Sequence, residues 1–210
     1  MDRAGDQLLG HGQRGRLLMP SPRGFTLVEL MIAVAILGVL LSLGIPAFST
    51  YLENARIRST AGAFLSAAEV AKATAASQNV RVEVILTNAT DPGNLATAEG
   101  GVSATGAPSG WMVRTFDRAA YIEGKSAAEG GRGTVAVVNV IRTVAGVTFT
   151  PLGGTTLAAA AVFSFTNPTG GDCIADGGPM RCLNVVVAPT GRIKLCDPTI
   201  TGTDTRACPT

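Results

Sequence analysis

Apolar positions divide the chain into a polar start, a long helix and a region of short strands. Residues 1–24 are polar and basic, and residues 30–48 form an uncharged run of 19 residues. The pattern predicts one helix from about Thr26 to Ala76, apolar all round in its first half and amphipathic in its second. In the second half the apolar residues recur at intervals of three and four, as on one helix face: Leu52, Ala55, Ala61, Phe64, Leu65, Ala68, Ala71 and Ala75.

Beyond residue 78 the pattern is that of short strands separated by turns. Residues 189–191 (Pro-Thr-Gly) predict a hairpin between the last two strands, and the Gly/Ala-rich residues 96–110 and 124–133 predict surface loops. A long helix followed by an antiparallel sheet or sandwich is an α+β fold. Segments rich in β-branched residues predict strands over residues 80–86, 111–116, 134–142, 147–150, 160–166, 183–188 and 192–195.

The uncharged run is close in length to the ~20 residues that a helix needs to cross a bilayer. The basic residues of the polar start precede it, which by the positive-inside rule places the N-terminus in the cytoplasm. The sequence therefore predicts a single membrane span, with the remainder of the chain on the far side of the membrane. A secretory signal peptide fits less well, because the apolar run is long and Ile45-Pro46-Ala47 is a poor cleavage site.

Composition and motifs argue against an enzyme, and the charge gives no indication of nucleic-acid binding by itself. Charged residues make up 15% of the chain and the net charge is +2, too small to indicate nucleic-acid binding by itself. The one histidine, His11, lies in the polar start, and none of the common hydrolase, zinc-protease or P-loop motifs occurs. We therefore predict no enzymatic activity and no cofactor.

Four cysteines, all near the C-terminus, predict disulfides in an oxidising compartment. Local pairing would close two short loops, whereas pairing of Cys182 with Cys196 across the hairpin would leave Cys173 for Cys208. The sequence does not choose among the three connectivities. A zinc site fits poorly because no C-x₂-C pair occurs, and the acidic residues of this region lack the spacing of a compact calcium loop.

A carboxylate near the start of the apolar run marks a functional position, because an intramembrane charge needs a partner. The surrounding residues are Arg23-Gly24-Phe25-Thr26-Leu27-Val28-Glu29. This segment resembles the class III signal of type IV prepilins and type II secretion pseudopilins. The resemblance implies cleavage between Gly24 and Phe25, N-methylation of Phe25, and pairing of Glu29 with the Phe25 amine of a neighbouring subunit. It also implies an assembly role for Pro46, at a helix-kinking position.

The resemblance implies a division of the chain into four parts. Residues 1–24 form the leader, for which Met19 is an alternative translation start, and residues 25–50 form the transmembrane and assembly half of the helix. Residues 51–77 are its amphipathic half, and residues 78–210 the periplasmic β-rich domain. Residues 182–198 resemble the GspH/FimT subgroup, which implies a structural or priming subunit of a pilus or secretion pseudopilus. The implied partners are other pilins, the prepilin peptidase and the inner-membrane assembly platform.

Two alternatives remain open. Gly191-Arg192-Ile193-Lys194 is similar to a DNA-contacting patch of FimT-like pilins, with Lys194 in place of the second arginine. A DNA receptor for natural transformation would use Arg192 and Lys194, joined by Arg181 and Arg206. The other alternative is an uncleaved membrane-anchored periplasmic binding domain, for which the Gly24–Phe25 bond would stay intact.

Overall fold

A computed structural model describes residues 24–95, 110–127, 129, 136–139, 146–167 and 170–209, with side chains in these ranges except at 43–47 and 136–139. Contacts divide the chain into two units, Met1–Leu43 and Gly44–Thr210. One helix, α1, extends over Leu27–Gln78, close to the predicted bounds, and contributes to both units.

In the first unit, the large apolar side chains of α1 face outward. From Leu27 to Leu41 they are between 52% and 73% exposed. Among the residues that the structure describes, no helix is both long and apolar enough to span a membrane. The transmembrane role of residues 25–50 stays a prediction.

The second unit contains two four-stranded sheets. Sheet A has the order β3-β2-β1-β5 and sheet B the order β4-β6-β7-β8, and all neighbouring strands are antiparallel. The predicted α+β fold, a long N-terminal helix followed by antiparallel strands, is confirmed. The strands are β1 Val82–Thr87, β2 Gly110–Thr115, β3 Tyr121–Lys125, β4 Ala136–Asn139, β5 Gly146–Phe149, β6 Ala161–Thr166, β7 Leu183–Val187 and β8 Ile193–Cys196.

The core lies where the second half of α1 meets both sheets. The Phe64 ring centroid is 5.4 Å from that of Trp111 in β2 and 4.9 Å from that of Phe163 in β6. One buried cluster therefore joins the helix to both sheets. The alanines of the predicted face are buried with Phe64: Ala61, Ala68, Ala71 and Ala75.

The predicted face of α1 is wrong at its start. Leu52 and Ala55 are exposed, and among the described side chains of α1 the first fully buried one is that of Ile57. The buried face of α1 thus begins at Ile57, several residues after the apolar spacing begins. Spacing shows which side of a helix is apolar, but it does not show where its cover starts.

The loop predicted over residues 124–133 is also wrong at its start, because β3 ends at Lys125. This strand has only a short apolar pattern and lies at an edge of sheet A, where polar side chains are common. Gly124 is needed there, because a Cβ would lie 2.7 Å from the Trp111 carbonyl oxygen. The loop predicted over residues 96–110 is wrong at its end, because Gly110 begins β2. The rest of that loop, and the ends of the strand predicted over residues 134–142, lie outside the described residues.

The predicted hairpin joins β7 to β8 through a three-residue loop that ends in Gly191. The Ala188 N–H donates to the Arg192 carbonyl oxygen at 2.9 Å, and the Gly191 N–H donates to the Ala188 carbonyl oxygen at 2.9 Å. Gly191 has φ +77°, and a Cβ there would lie 1.8 Å from the Gly153 carbonyl oxygen. The backbone conformation of the turn therefore requires glycine at this position, whether or not the residues that follow it bind DNA.

Candidate functional site

The first turn of α1 is closed by two side chains that cap each other. The Glu29 carboxylate accepts hydrogen bonds from the Thr26 N–H at 2.9 Å and the Thr26 hydroxyl at 3.0 Å. The Thr26 Oγ1 accepts in turn from the Glu29 N–H at 3.2 Å. This is a capping box, in which two otherwise unpaired backbone donors are satisfied. It holds the Glu29 carboxylate against Thr26, which is the residue that follows Phe25.

The predicted cleavage position lies on open backbone just before this turn. Phe25 is 89% exposed, and a Cβ placed on Gly24 would meet no atom within 4 Å. Packing within the described part of the chain therefore does not explain a glycine at this position. A requirement for Gly24 would have to come from a molecule that reads this segment.

Two further positions of the N-terminal segment are Thr26, which the structure describes, and Pro46, whose side chain it does not. Sequence reasoning did not single out Thr26, although the Thr-x-x-Glu spacing is the signal of a capping box. Pro46 lies within α1, but its side chain is among those not described. The kink that the resemblance implies at Pro46 stays a prediction.

Three of the four basic residues of the predicted DNA-binding patch have partners within the domain. Lys194 Nζ donates to the Ala207 carbonyl oxygen at 2.7 Å, and Arg181 Nε donates to Asp197 at 2.8 Å. Arg206 makes two hydrogen bonds to the Asp204 carboxylate, at 2.8 and 3.1 Å. Arg192 is exposed at the hairpin turn, with no ion pair found among the described residues.

The carboxylates in these pairs are held in their charged form. Burial raises the pKa of Asp197, but hydrogen bonds from Thr199 and Arg181 outweigh it and leave the pKa below its ordinary value. Hydrogen bonds from Arg206 lower the pKa of Asp204 to about 2. Both carboxylates thus offset positive charge of the predicted patch at neutral pH.

Two of the four residues of the predicted patch line one cleft, and the other two do not. Arg181 and Arg206 line one cleft together with Arg58 of α1, which sequence reasoning missed because it is remote in the chain. Neither Arg192 nor Lys194 lines that cleft. Lys194 instead lies opposite Val186, whose side chain packs in a small cluster apart from the main core. DNA binding at these four residues stays a prediction.

Two disulfides fix the C-terminal region. Cys173 pairs with Cys182, and Cys196 at the end of β8 pairs with Cys208. This is the local pairing among the three connectivities that the sequence left open. In the described residues, no three His, Cys, Asp or Glu side chains come together as metal ligands would.

Comparison with known proteins identifies the N-terminal segment. A family model described as "Prokaryotic N-terminal methylation motif" matches residues 19–45. Prepilin peptidase-dependent protein D of Escherichia coli (strain K12) is 46% identical over 39 residues, which cover 19% of this chain and 27% of that protein. Fimbrial protein of Moraxella nonliquefaciens is 44% identical over 39 residues, which cover 19% and 25%. The match thus spans about a quarter of these curated relatives.

Two crystal structures of the type IV minor pilin FimU from Pseudomonas aeruginosa (strain PAO1) were also found. Their TM-scores are 0.46 and 0.49 at 17% and 16% identity, over 70% and 74% of this chain and 98% of each FimU chain. The family model and the curated relatives place the N-terminal segment in the class of type IV pilins and pseudopilins, as its residues predicted. Its motif is the prokaryotic N-terminal methylation motif.

Proposed function

We propose that this chain is a minor pilin or pseudopilin of the GspH/FimT type, a structural or priming subunit of a type IV pilus or a type II secretion pseudopilus. The observation that carries the proposal is the start of α1. There the Glu29 carboxylate caps the first turn of a helix whose large apolar side chains are exposed from Leu27 to Leu41. An apolar surface of this extent indicates contact with lipid or with other subunits.

Processing would convert the helix start into an ion pair. Cleavage between Gly24 and Phe25 by the prepilin peptidase leaves a new amine on Phe25, which is then methylated. The amine is charged and would enter an apolar environment with the helix, where it needs a partner. The Glu29 carboxylate can accept hydrogen bonds from it, and subunit register decides whether the amine is its own or a neighbour's.

Assembly would bury the apolar half of α1 against the same half of other subunits. Lipid tails are as apolar as leucine, so no hydrophobic effect favours helix contacts within a bilayer. Packing and the pairing of polar groups must then favour the filament over the membrane. Glu29 is the charged side chain within the first turns of α1, so its pairing with an amine would contribute to this preference for the filament.

The proposal also assigns each segment of the chain to one side of the membrane. Residues 1–24 are the leader, residues 25–50 cross the inner membrane, and residues 51–77 with residues 78–210 lie in the periplasm. The two disulfides agree with an oxidising compartment. Its partners are other pilins or pseudopilins, the prepilin peptidase and the inner-membrane assembly platform.

Replacement of the carboxylate tests the proposal. We expect Glu29→Val to be cleaved normally but to enter filaments at least about tenfold less, because an unpaired charge in an apolar environment costs a few kcal/mol. The readout is the amount of mature protein in sheared filaments and in the inner membrane. Leu30→Val is the matched control, since it changes an adjacent exposed side chain without changing charge. Normal incorporation of Glu29→Val would contradict the mechanism.

A further inference from the structure

A cleft lined by three arginines opens beside the last strand of sheet B. Its volume is about 290 Å³, and the arginines are Arg58 of α1, Arg181 before β7 and Arg206 of the C-terminal segment. Leu183 and Leu195 form apolar parts of its wall. The cleft therefore combines apolar surface with guanidinium groups, which come from three separate parts of the chain.

The cleft has an excess of positive charge. Arg181 is paired with Asp197 and Arg206 with Asp204, so three guanidinium groups face two carboxylates, an excess of one positive charge. Arg58 is exposed, and no hydrogen bond or ion pair to its side chain is found in the described part of the chain. A guanidinium presents five N–H donors in a planar fork that fits a carboxylate. Arg58 is thus the group best placed to receive an anion.

The same cleft adjoins an open backbone edge. β8 is the edge strand of sheet B, and Arg192 pairs with Ala188 through a backbone hydrogen bond. Because hydrogen-bonded pairs alternate in an antiparallel ladder, the N–H and C=O groups of Ile193 and Leu195 point away from β7. Within the described ranges, no hydrogen bond to either backbone is found.

The chain itself already uses the next position on this edge. The Asp197 N–H donates to the Arg206 carbonyl oxygen at 2.9 Å, so the C-terminal segment runs beside the end of β8. The place along Ile193 and Leu195 is where a second segment could continue this pairing. The open stretch is short, so most of the affinity would have to come from the cleft.

We propose that the arginine cleft and the open edge of β8 together bind an extended acidic segment of a partner protein. The backbone edge selects a polypeptide, because a strand added to a sheet pairs through main-chain groups. The guanidinium groups select carboxylate side chains, and the leucines favour apolar residues between them. A phosphodiester chain would use the charges but neither the edge nor the leucines. The proposal does not depend on assembly through α1.

A synthetic peptide of alternating valine and glutamate is the probe. We expect the full-length protein in detergent micelles to bind the labelled peptide, with an affinity that falls as salt is added. Arg58→Gln should weaken binding about tenfold, the loss of one charge-assisted hydrogen bond. Amide hydrogen exchange of Ile193 and Leu195 should slow when the peptide is bound. Arg58 is exposed, so its replacement leaves the fold intact, which circular dichroism can check.

Matched variants separate the two parts of the site. Arg118→Gln, at an exposed arginine after β2 of sheet A, should bind the peptide as the parent does. A peptide with glutamine in place of glutamate should lose the component of the binding affinity that depends on Arg58. A peptide with alternate N-methylated amides should no longer slow amide exchange on β8. Absence of peptide binding, or equal binding by Arg58→Gln, would overturn the proposal. So would Arg58-dependent binding of an oligothymidylate without peptide binding, which would make the cleft a nucleic-acid site.

Discussion

Both halves of helix α1 carry apolar side chains, but these side chains differ in size and in exposure between the two halves. From Leu27 to Leu41 the large side chains are at least 52% exposed, and leucine, isoleucine and valine predominate. From Ala61 to Ala75 the buried positions are mostly alanine, at 0–1% exposure. Small side chains let the helix backbone lie close to the two sheets, whereas the large ones project into the surroundings.

The difference shows that hydrophobicity alone does not identify a core. The buried half of α1 packs with both sheets of its own chain. The exposed half has no such cover in the described part of its unit, and contact with lipid or another subunit is what we propose for it. Substitutions in the two halves should therefore affect different properties, stability in one and assembly in the other.

The largest effect is expected just before the exposed half, at the proposed cleavage position. Gly24→Leu should block processing almost completely and leave folding unchanged, because a side chain at Gly24 meets nothing in the described structure. Immunoblots would show only the longer precursor, while circular dichroism and unfolding curves match the parent. Normal cleavage of Gly24→Leu would show that the segment is not read as a prepilin signal.

Truncation of one large side chain in each half gives the next largest contrast. Phe64→Ala should lower the free energy of unfolding by about 3–5 kcal/mol, because Phe64 is buried against aromatic side chains of both sheets. Leu37→Ala should change it by less than about 0.5 kcal/mol, since Leu37 is 54% exposed. Denaturant unfolding in detergent measures both. Similar losses in the two variants would remove the distinction between the halves.

Enlargement of one alanine in each half should give a smaller contrast. Ala71→Leu should cost about 1–3 kcal/mol of unfolding free energy, because its Cβ lies in a closely packed interface between the helix and the sheets. Ala33→Leu, at an exposed position, should stay within about 0.5 kcal/mol of the parent. The same unfolding experiment measures both, and a stable Ala71→Leu would mean that small size is not required there.

The smallest effect is expected in the C-terminal segment, at the exposed ion pair between Arg206 and Asp204. The pKa of Asp204 is lowered to about 2 by its hydrogen bonds with Arg206. The contribution of this pair is therefore present above the ordinary carboxyl range near pH 4 and is lost as the pH falls through about 2. Arg206→Gln should raise the Asp204 pKa toward its ordinary value. Carboxyl chemical shifts by NMR measure it, and an unchanged midpoint would contradict the pair.

The sequence predicted those helices, strands and turns whose own residues carry a clear local pattern. The bounds of α1, most of the strands and the β7–β8 hairpin follow from apolar spacing, β-branched residues and turn residues. β3 was missed because an edge strand needs few apolar residues. The start of burial at Ile57 was missed because it depends on where the sheets lie.

The candidate sites differ in the same way. Gly24, Phe25 and Glu29 lie within six residues of the chain, so the sequence alone predicts them as a site, and the family model matches the segment that contains them. The arginine cleft joins Arg58 to Arg181 and Arg206 across the fold, which no local pattern could show. The partners Asp197 and Asp204 also depend on how the C-terminal segment is folded back by its disulfide.

The most direct test of the account is the intact mass of the protein from sheared filaments and from the inner membrane of the same cells. Intact protein is preferable because no Lys or Arg lies between Phe25 and Arg56, so trypsin would release one long apolar peptide. We predict a chain that begins at Phe25, carries one added methyl group and has both disulfides formed. A mass that retains residue 24 and the leader in both fractions would contradict the account and favour an uncleaved anchored domain.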